Sequence, residues 1–125
     1  MKRLLRIILP ALIGAISLLA MAVSGSASPT WVIMTAGVCS ADAQTFIAAN
    51  GSGNSHSLDT SFCGSSVYLS SSLAYSGGSV YCAGSWAVSS RSCTTIPHYN
   101  ATSGASTHNL CWIGSCYGYV GTNTW

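Results

Sequence analysis

Few side chains in this sequence are equipped for chemistry. Its bases are His56, His98 and His108, and its only carboxylates are Asp42 and Asp59. A Ser/His/Asp hydrolase needs a histidine to take the hydroxyl proton and a carboxylate to orient the ring. His56 and Asp59, close together in the Gly/Ser-rich stretch Gly51 to Asp59, are the pair such a centre would draw on. Serine is so abundant that a nearby hydroxyl carries no information, and all three histidines read as exposed loop residues. A paired-carboxylate glycosidase would require both aspartates to flank one bond. Phosphate-cradling loops are missing, since no glycine cluster is followed by Lys-Ser or Lys-Thr. The reading is therefore non-enzymatic and without cofactor, with a small secreted hydrolase held as an alternative.

Cysteine is the second reactive type. Cys39, Cys63, Cys82, Cys93, Cys111 and Cys116 make an even count in a short chain, which points to three disulfides in an oxidising compartment. Zinc does not fit, because no C-x2-C pair occurs and the histidines do not stand in finger order. Six cysteines allow 15 pairings, so connectivity stays open. Cys111 and Cys116 would point to opposite faces of a continuous strand and can bond only if Gly114-Ser115 breaks it.

Compartment follows from the N-terminus. Lys2, Arg3 and Arg6 precede an apolar run from Ile7 to Val23, and Gly25-Ser26-Ala27 supplies small residues, so residues 1–27 are expected to be a secretory signal peptide cleaved after Ala27. An uncleaved anchor is the alternative. Residues 28–125 are then a single small domain whose only charged side chains are Asp42, Asp59 and Arg91. One arginine cannot supply the clustered cations that nucleic acid requires. No cationic amphipathic face exists either, so no membrane partner is expected once the leader is gone.

The elements that position these groups are built around residues 66–89. SVYLSSSLAYS and SVYCAGSWAVS are two halves of one repeat at an offset of thirteen, separated by Gly77-Gly78. Each half alternates, and a Gly-Gly pair between alternating runs is a hairpin signal, since both residues can take positive φ. With the turn at Gly77-Gly78, Tyr75 faces Val80, Leu73 faces Cys82, Leu69 faces Trp86 and Val67 faces Val88. One face of the ribbon is then apolar, with Val67, Leu69, Leu73, Tyr75, Val80, Cys82, Trp86 and Val88. The other is small and hydroxylated, with Tyr68 and Tyr81 as its bulky groups roughly 20 Å apart.

Around this hairpin, Thr30 to Ala36 reads as a buried strand. Alanine-rich residues 41–49 suggest a short helix capped by Ser40, although Thr45, Phe46 and Ile47 suit a strand equally. Gly51 to Asp59 is expected to be loop, Cys93 to Ile96 a strand stopped by Pro97, Pro97 to His108 an exposed loop, and Asn109 to Val120 one or two strands bent at Gly114 and Gly118. Asn100-Ala101-Thr102 matches a glycosylation sequon, read here as a chance match. The segment WVIMTAGVC, residues 31–39, is similar to the histidine segment of trypsin-like serine proteases. Gly37 and Val38 stand where the histidine belongs and no G-D-S-G-G follows, so the likeness carries no function.

The expected fold is an all-β sandwich or barrel, small and stapled by disulfides. Its expected function is binding a neutral glycan, a cell-wall surface or a protein partner. Tyr68 and Tyr81 would be the stacking residues, with Trp112, Tyr117 and Tyr119 as further candidates. A bacteriocin-like antibacterial toxin acting through a receptor is the other alternative.

Overall fold

The computed structural model describes residues 30–124; the expected leader and Trp125 lie outside them. Nine strands and no helix are found among the described residues: β1 (Trp31–Ala36), β2 (Cys39–Ile47), β3 (Gly53–Asp59), β4 (Ser66–Tyr75), β5 (Gly78–Val88), β6 (Ser90–Thr94), β7 (Ala101–Trp112), β8 (Ser115–Cys116) and β9 (Val120–Asn123). They form two antiparallel sheets. One has the order β1-β2-β3-β6; the other has β5-β4-β7, with β8 and β9 both on the far edge of β7. The fold is a small disulfide-stapled β-sandwich.

Four segments differ from the sequence reading. Thr30 to Ala36 does form a strand, β1, but at a sheet edge where only Met34 and Ala36 are buried and Trp31 and Ile33 are about half exposed. Residues 41–49 are not a helix. Their alternating burial places Ala41, Ala43 and Thr45 inward and Asp42, Gln44 and Phe46 outward in β2, so the period-2 face won over alanine's helix propensity. Gly51 to Asp59 is mostly strand β3, with Ser55 and Ser57 fully inward. Likewise Pro97 to His108 contains the first eight residues of β7, the strand that joins β4 to β8 and β9. Polar composition signals loop only when the hydroxyls are left to water; here Ser55 and Ser106 are bonded to neighbouring strands of their own sheets, and Ser57 reaches across the sandwich to His108.

The hairpin is present, but with a different register. Its turn is Ser76-Gly77, neither at positive φ, so Leu73 faces Val80 and Ser71 faces Cys82. The pairing then shifts: two steps from Ser71 to Leu69 on β4 match three from Cys82 to Ser85 on β5. This is a β-bulge. An extra residue reverses the alternation beyond it. Val80 and Cys82 therefore face the core as expected, whereas Trp86 and Val88 turn outward and are 43% and 70% exposed. On β4, Val67, Leu69 and Leu73 are fully buried as read. Tyr75 leaves that face half-buried at the hairpin end, stacked on His98 with ring centroids 3.9 Å apart.

The core consists of two small apolar clusters. Met34, Ala36, Ala41, Ala43, Val67 and Leu110 form one, and Leu69, Leu73 and Cys93 the other. Three disulfides staple this fold with its thin interior: Cys39–Cys63, Cys82–Cys93 and, at the surface, Cys111–Cys116. Cys82–Cys93 links β5 to β6 across the two sheets. Cys111 and Cys116 do pair, because Ile113 and Gly114, at φ 46° and 74°, turn the chain back and set the two cysteines opposite each other in β7 and β8.

Candidate ligand-binding face

The outer face of the second sheet carries most of the sequence-predicted site. On β4 it presents Ser66, Tyr68, Ser70, Ser72 and Ala74, and across the ladder β7 adds Ser103, Ala105, Thr107 and Asn109. Tyr81 lies opposite Ser72 and is 69% exposed; Tyr68 lies opposite Trp86 and is half-buried. The two tyrosines are thus four β4 positions apart, roughly 14 Å at about 3.4 Å per residue rather than 20 Å. The Ser76-Gly77 turn shortened the span, by setting Tyr81 opposite Ser72 instead of Ala74.

Tyr68 is the centre of an aromatic cluster. Its ring centroid is 5.4 Å from that of Trp86 and 5.1 Å from that of Tyr119, the latter edge-on. Both distances fall within the range preferred by aromatic pairs. Tyr119 reaches this position from the β8–β9 connection, where Gly118 turns at φ 104° and its N–H donates to Asn109 Oδ1 at 3.0 Å. Trp86 was missed as a surface residue. A glycine inside a strand, here Gly84, is the sequence signal that could have found it, since it marks bulges.

Between the aromatic cluster and the hairpin end the face is a shallow trough. One depression, of about 180 Å³, is lined by Ser70, Ser72, Tyr81, Ala105 and Thr107 among others. A second, of about 360 Å³, shares Ser72 and Ala105 and continues past Ala74, Ser103 and Asn123. No lining residue is charged. Asn123, beside this wall, has its Oδ1 buried without a hydrogen-bond partner among the described residues.

Two predicted residues lie elsewhere. Trp112 faces inward and packs on the first core cluster, its ring 3.4 Å from where a Cβ on Gly37 would stand. Tyr117 is 43% exposed, but among the described residues it makes no ring pair with the cluster.

His56 and Asp59, the pair a hydrolase would draw on, are not brought together. His56 faces outward from β3 and Asp59 inward. Burial would push the Asp59 carboxyl up, but four hydrogen bonds, from the N–H and hydroxyl of Ser65 and of Ser61, outweigh it and hold the group at about 2. Asp59 thereby closes the loop that carries Cys63. His56 is lowered by burial, opposed in part by Asp42. His98 sits in the loop beyond β6. His108, read as a loop residue, is instead fully buried in β7.

His108 organises the polar layer between the two apolar clusters. Its Nδ1 is 2.8 Å from Ser57 Oγ, which itself donates to the Tyr68 carbonyl at 2.8 Å. The single Ser57 proton is thereby used, so Nδ1–H donates to Ser57 and Nε2 accepts from Thr122 Oγ1 at 2.7 Å. Thr122 in turn meets Thr45 Oγ1 at 2.6 Å. Burial pushes the His108 pKa down to about 4, with His56 acting in the same direction. The ring is neutral at pH 7. Ser57 and His108 are both closed to solvent, so this hydroxyl–imidazole contact ties the two sheets together and has no access to substrate.

Comparison with protein-family models, with curated proteins and with solved structures gives no match for this chain.

Proposed function

We propose that this is a secreted, non-enzymatic binding module whose outer sheet face takes up an extended neutral ligand of the glycan type. The observation that carries this reading is the placement of the Tyr68–Trp86–Tyr119 cluster and Tyr81 along one uncharged, hydroxyl-lined trough. Aromatic rings offer flat apolar area for sugar faces, while Ser70, Ser72 and Thr107 offer hydroxyls to a sugar's rim. A span of roughly 14 Å between Tyr68 and Tyr81 suits a chain of sugars better than one monosaccharide. Secretion is supported by the three disulfides and by the expected leader.

Pull-down on insoluble glycans and cell-wall preparations, followed by titration with oligosaccharides of increasing length, tests this. Affinity should rise with length until both aromatic positions are covered, and should change little with salt because no ion pair forms. Tyr68→Ala and Tyr81→Ala should each weaken binding at least tenfold with the fold intact. Unchanged binding in both variants would reject the site.

A further inference from the structure

A second surface lies at one end of the sandwich, and no part of the glycan reading uses its loop tips. The β1–β2 turn, the loop 60–65, the β5–β6 corner and the β7–β8 turn all meet there. Cys39–Cys63, with its Cα atoms 5.9 Å apart, brings Val38 and Phe62 to the same end, each standing one residue before a bonded cysteine. Gly37 lies against the Trp112 ring, so the β7–β8 turn, with Ile113 next to Trp112, is at the same end. Ser89 completes the end: its N–H donates to the Ser65 carbonyl and its own carbonyl accepts from the Asp59 N–H, so Val88 is on the same side.

The tips are apolar and almost wholly exposed: Phe62 at 95%, Ile113 at 81%, Val38 at 79% and Val88 at 70%. Phe62 and Ile113 are held at φ 58° and 46°, a conformation that glycine or asparagine adopts readily and that a β-branched residue almost never does. Large apolar side chains thus occupy positions where the backbone favours glycine. The four connecting segments contain no charged residue, and Asp59 at their base is turned inward on its hydrogen bonds. Tyr117, 43% exposed, follows β8 directly, its N–H donating to the Leu110 carbonyl.

We propose that this end docks on a neutral, zwitterionic lipid bilayer, with Val38, Phe62 and Ile113 entering the interface and Tyr117 at headgroup level. A rigid protein partner would need a complementary groove and normally a polar rim, whereas separate protruding tips suit a fluid surface that conforms to them. Without charge, the tips gain nothing from anionic headgroups, and a neutral bilayer is sufficient. A missing cationic face argues against anionic membranes, and these tips need no cation. Among the described residues no helix is long and apolar enough to cross a membrane, so the contact proposed is peripheral.

Flotation of the oxidised mature chain, from Ser28, with pure phosphatidylcholine vesicles tests the proposal. The protein should float with them, equally at low and high salt. Phe62→Gly with Ile113→Gly should reduce the bound fraction at least tenfold, while the melting temperature stays level or rises because glycine accepts the left-handed backbone. Failure of the parent protein to float, flotation only with anionic vesicles, or undiminished flotation of the double variant would each overturn it. The double variant should still bind glycan and Tyr81→Ala should still float, which separates this surface from the trough.

Discussion

The ring of Tyr68 lies across the bare backbone of Gly84, so closely that a Cβ there would stand 2.6 Å from Tyr68 Cζ. Gly84 sits in the bulge of β5, and its missing side chain is what lets Tyr68 lean over that strand toward Trp86. The bulge that turns Trp86 outward therefore also makes room for its partner.

Gly84→Ala should displace the Tyr68 ring and break up the cluster. The expected result is a stability loss of about 1 to 3 kcal/mol and a weaker near-ultraviolet circular dichroism signal, measured with chemical denaturation. Glycan affinity should fall with it. An alanine variant as stable as its parent, with the aromatic signal intact, would contradict this packing.

The bulge also predicts an order of costs. Leu69→Ala removes a fully buried side chain and should cost about 2 to 5 kcal/mol, whereas Trp86→Ala, at a position 43% exposed, should cost less than about 2 kcal/mol. Urea unfolding of the two variants decides it. If the tryptophan proves the costlier residue, it faces the core and the register is wrong.

Acid should destabilise the protein in two separate windows. For His108 the folded pKa of about 4 lies below the ordinary 6.5, so the folded state binds fewer protons between them. Its stabilisation is complete above about pH 6.5 and declines as pH falls, reaching a loss of ~3 kcal/mol by about pH 4. His56 is shifted in the same direction and adds to this window. For Asp59, held at about 2 against an ordinary 3.8, the contribution is present above 3.8 and lost as pH falls through about 2. Melting temperature against pH should show both declines. His108→Gln should flatten most of the upper one and Asp59→Asn the lower one; an unchanged slope above pH 4 in His108→Gln would show that this ring is not the group being titrated.

Disulfide removal should follow loop length. The separations are 24, 11 and 5 residues for Cys39–Cys63, Cys82–Cys93 and Cys111–Cys116. Chain entropy alone then gives losses of about 3.4, 2.7 and 2 kcal/mol for the paired Cys→Ser variants. Denaturation of the three double variants checks the order. Alkylation of the unreduced, denatured parent should label no cysteine, as all six are bonded.

Much of this protein was legible in the chain itself. The even cysteine count, the near absence of charge and the alternation of Val67, Leu69 and Leu73 are properties of composition and of neighbouring residues, and they were enough for an all-β, disulfide-stapled domain with a central hairpin. Tyr68 and Tyr81 could be placed on one face for the same reason, since the period of a strand is local. What tertiary structure decided were relations between distant residues. Ser55, Ser57, Thr45 and His108 read as loop or helix until their partners are known, and the Thr45–Thr122 bond joins residues 77 apart. A buried hydroxyl is tolerable only where such a partner stands opposite, and no local pattern announces it. The side taken by Trp86, the removal of Trp112 to the core and the meeting of Val38, Phe62 and Ile113 at one end likewise depend on one extra residue in β5 and on how two sheets are laid together, because register and facing are set by pairing across the fold and not by the order of residues along it.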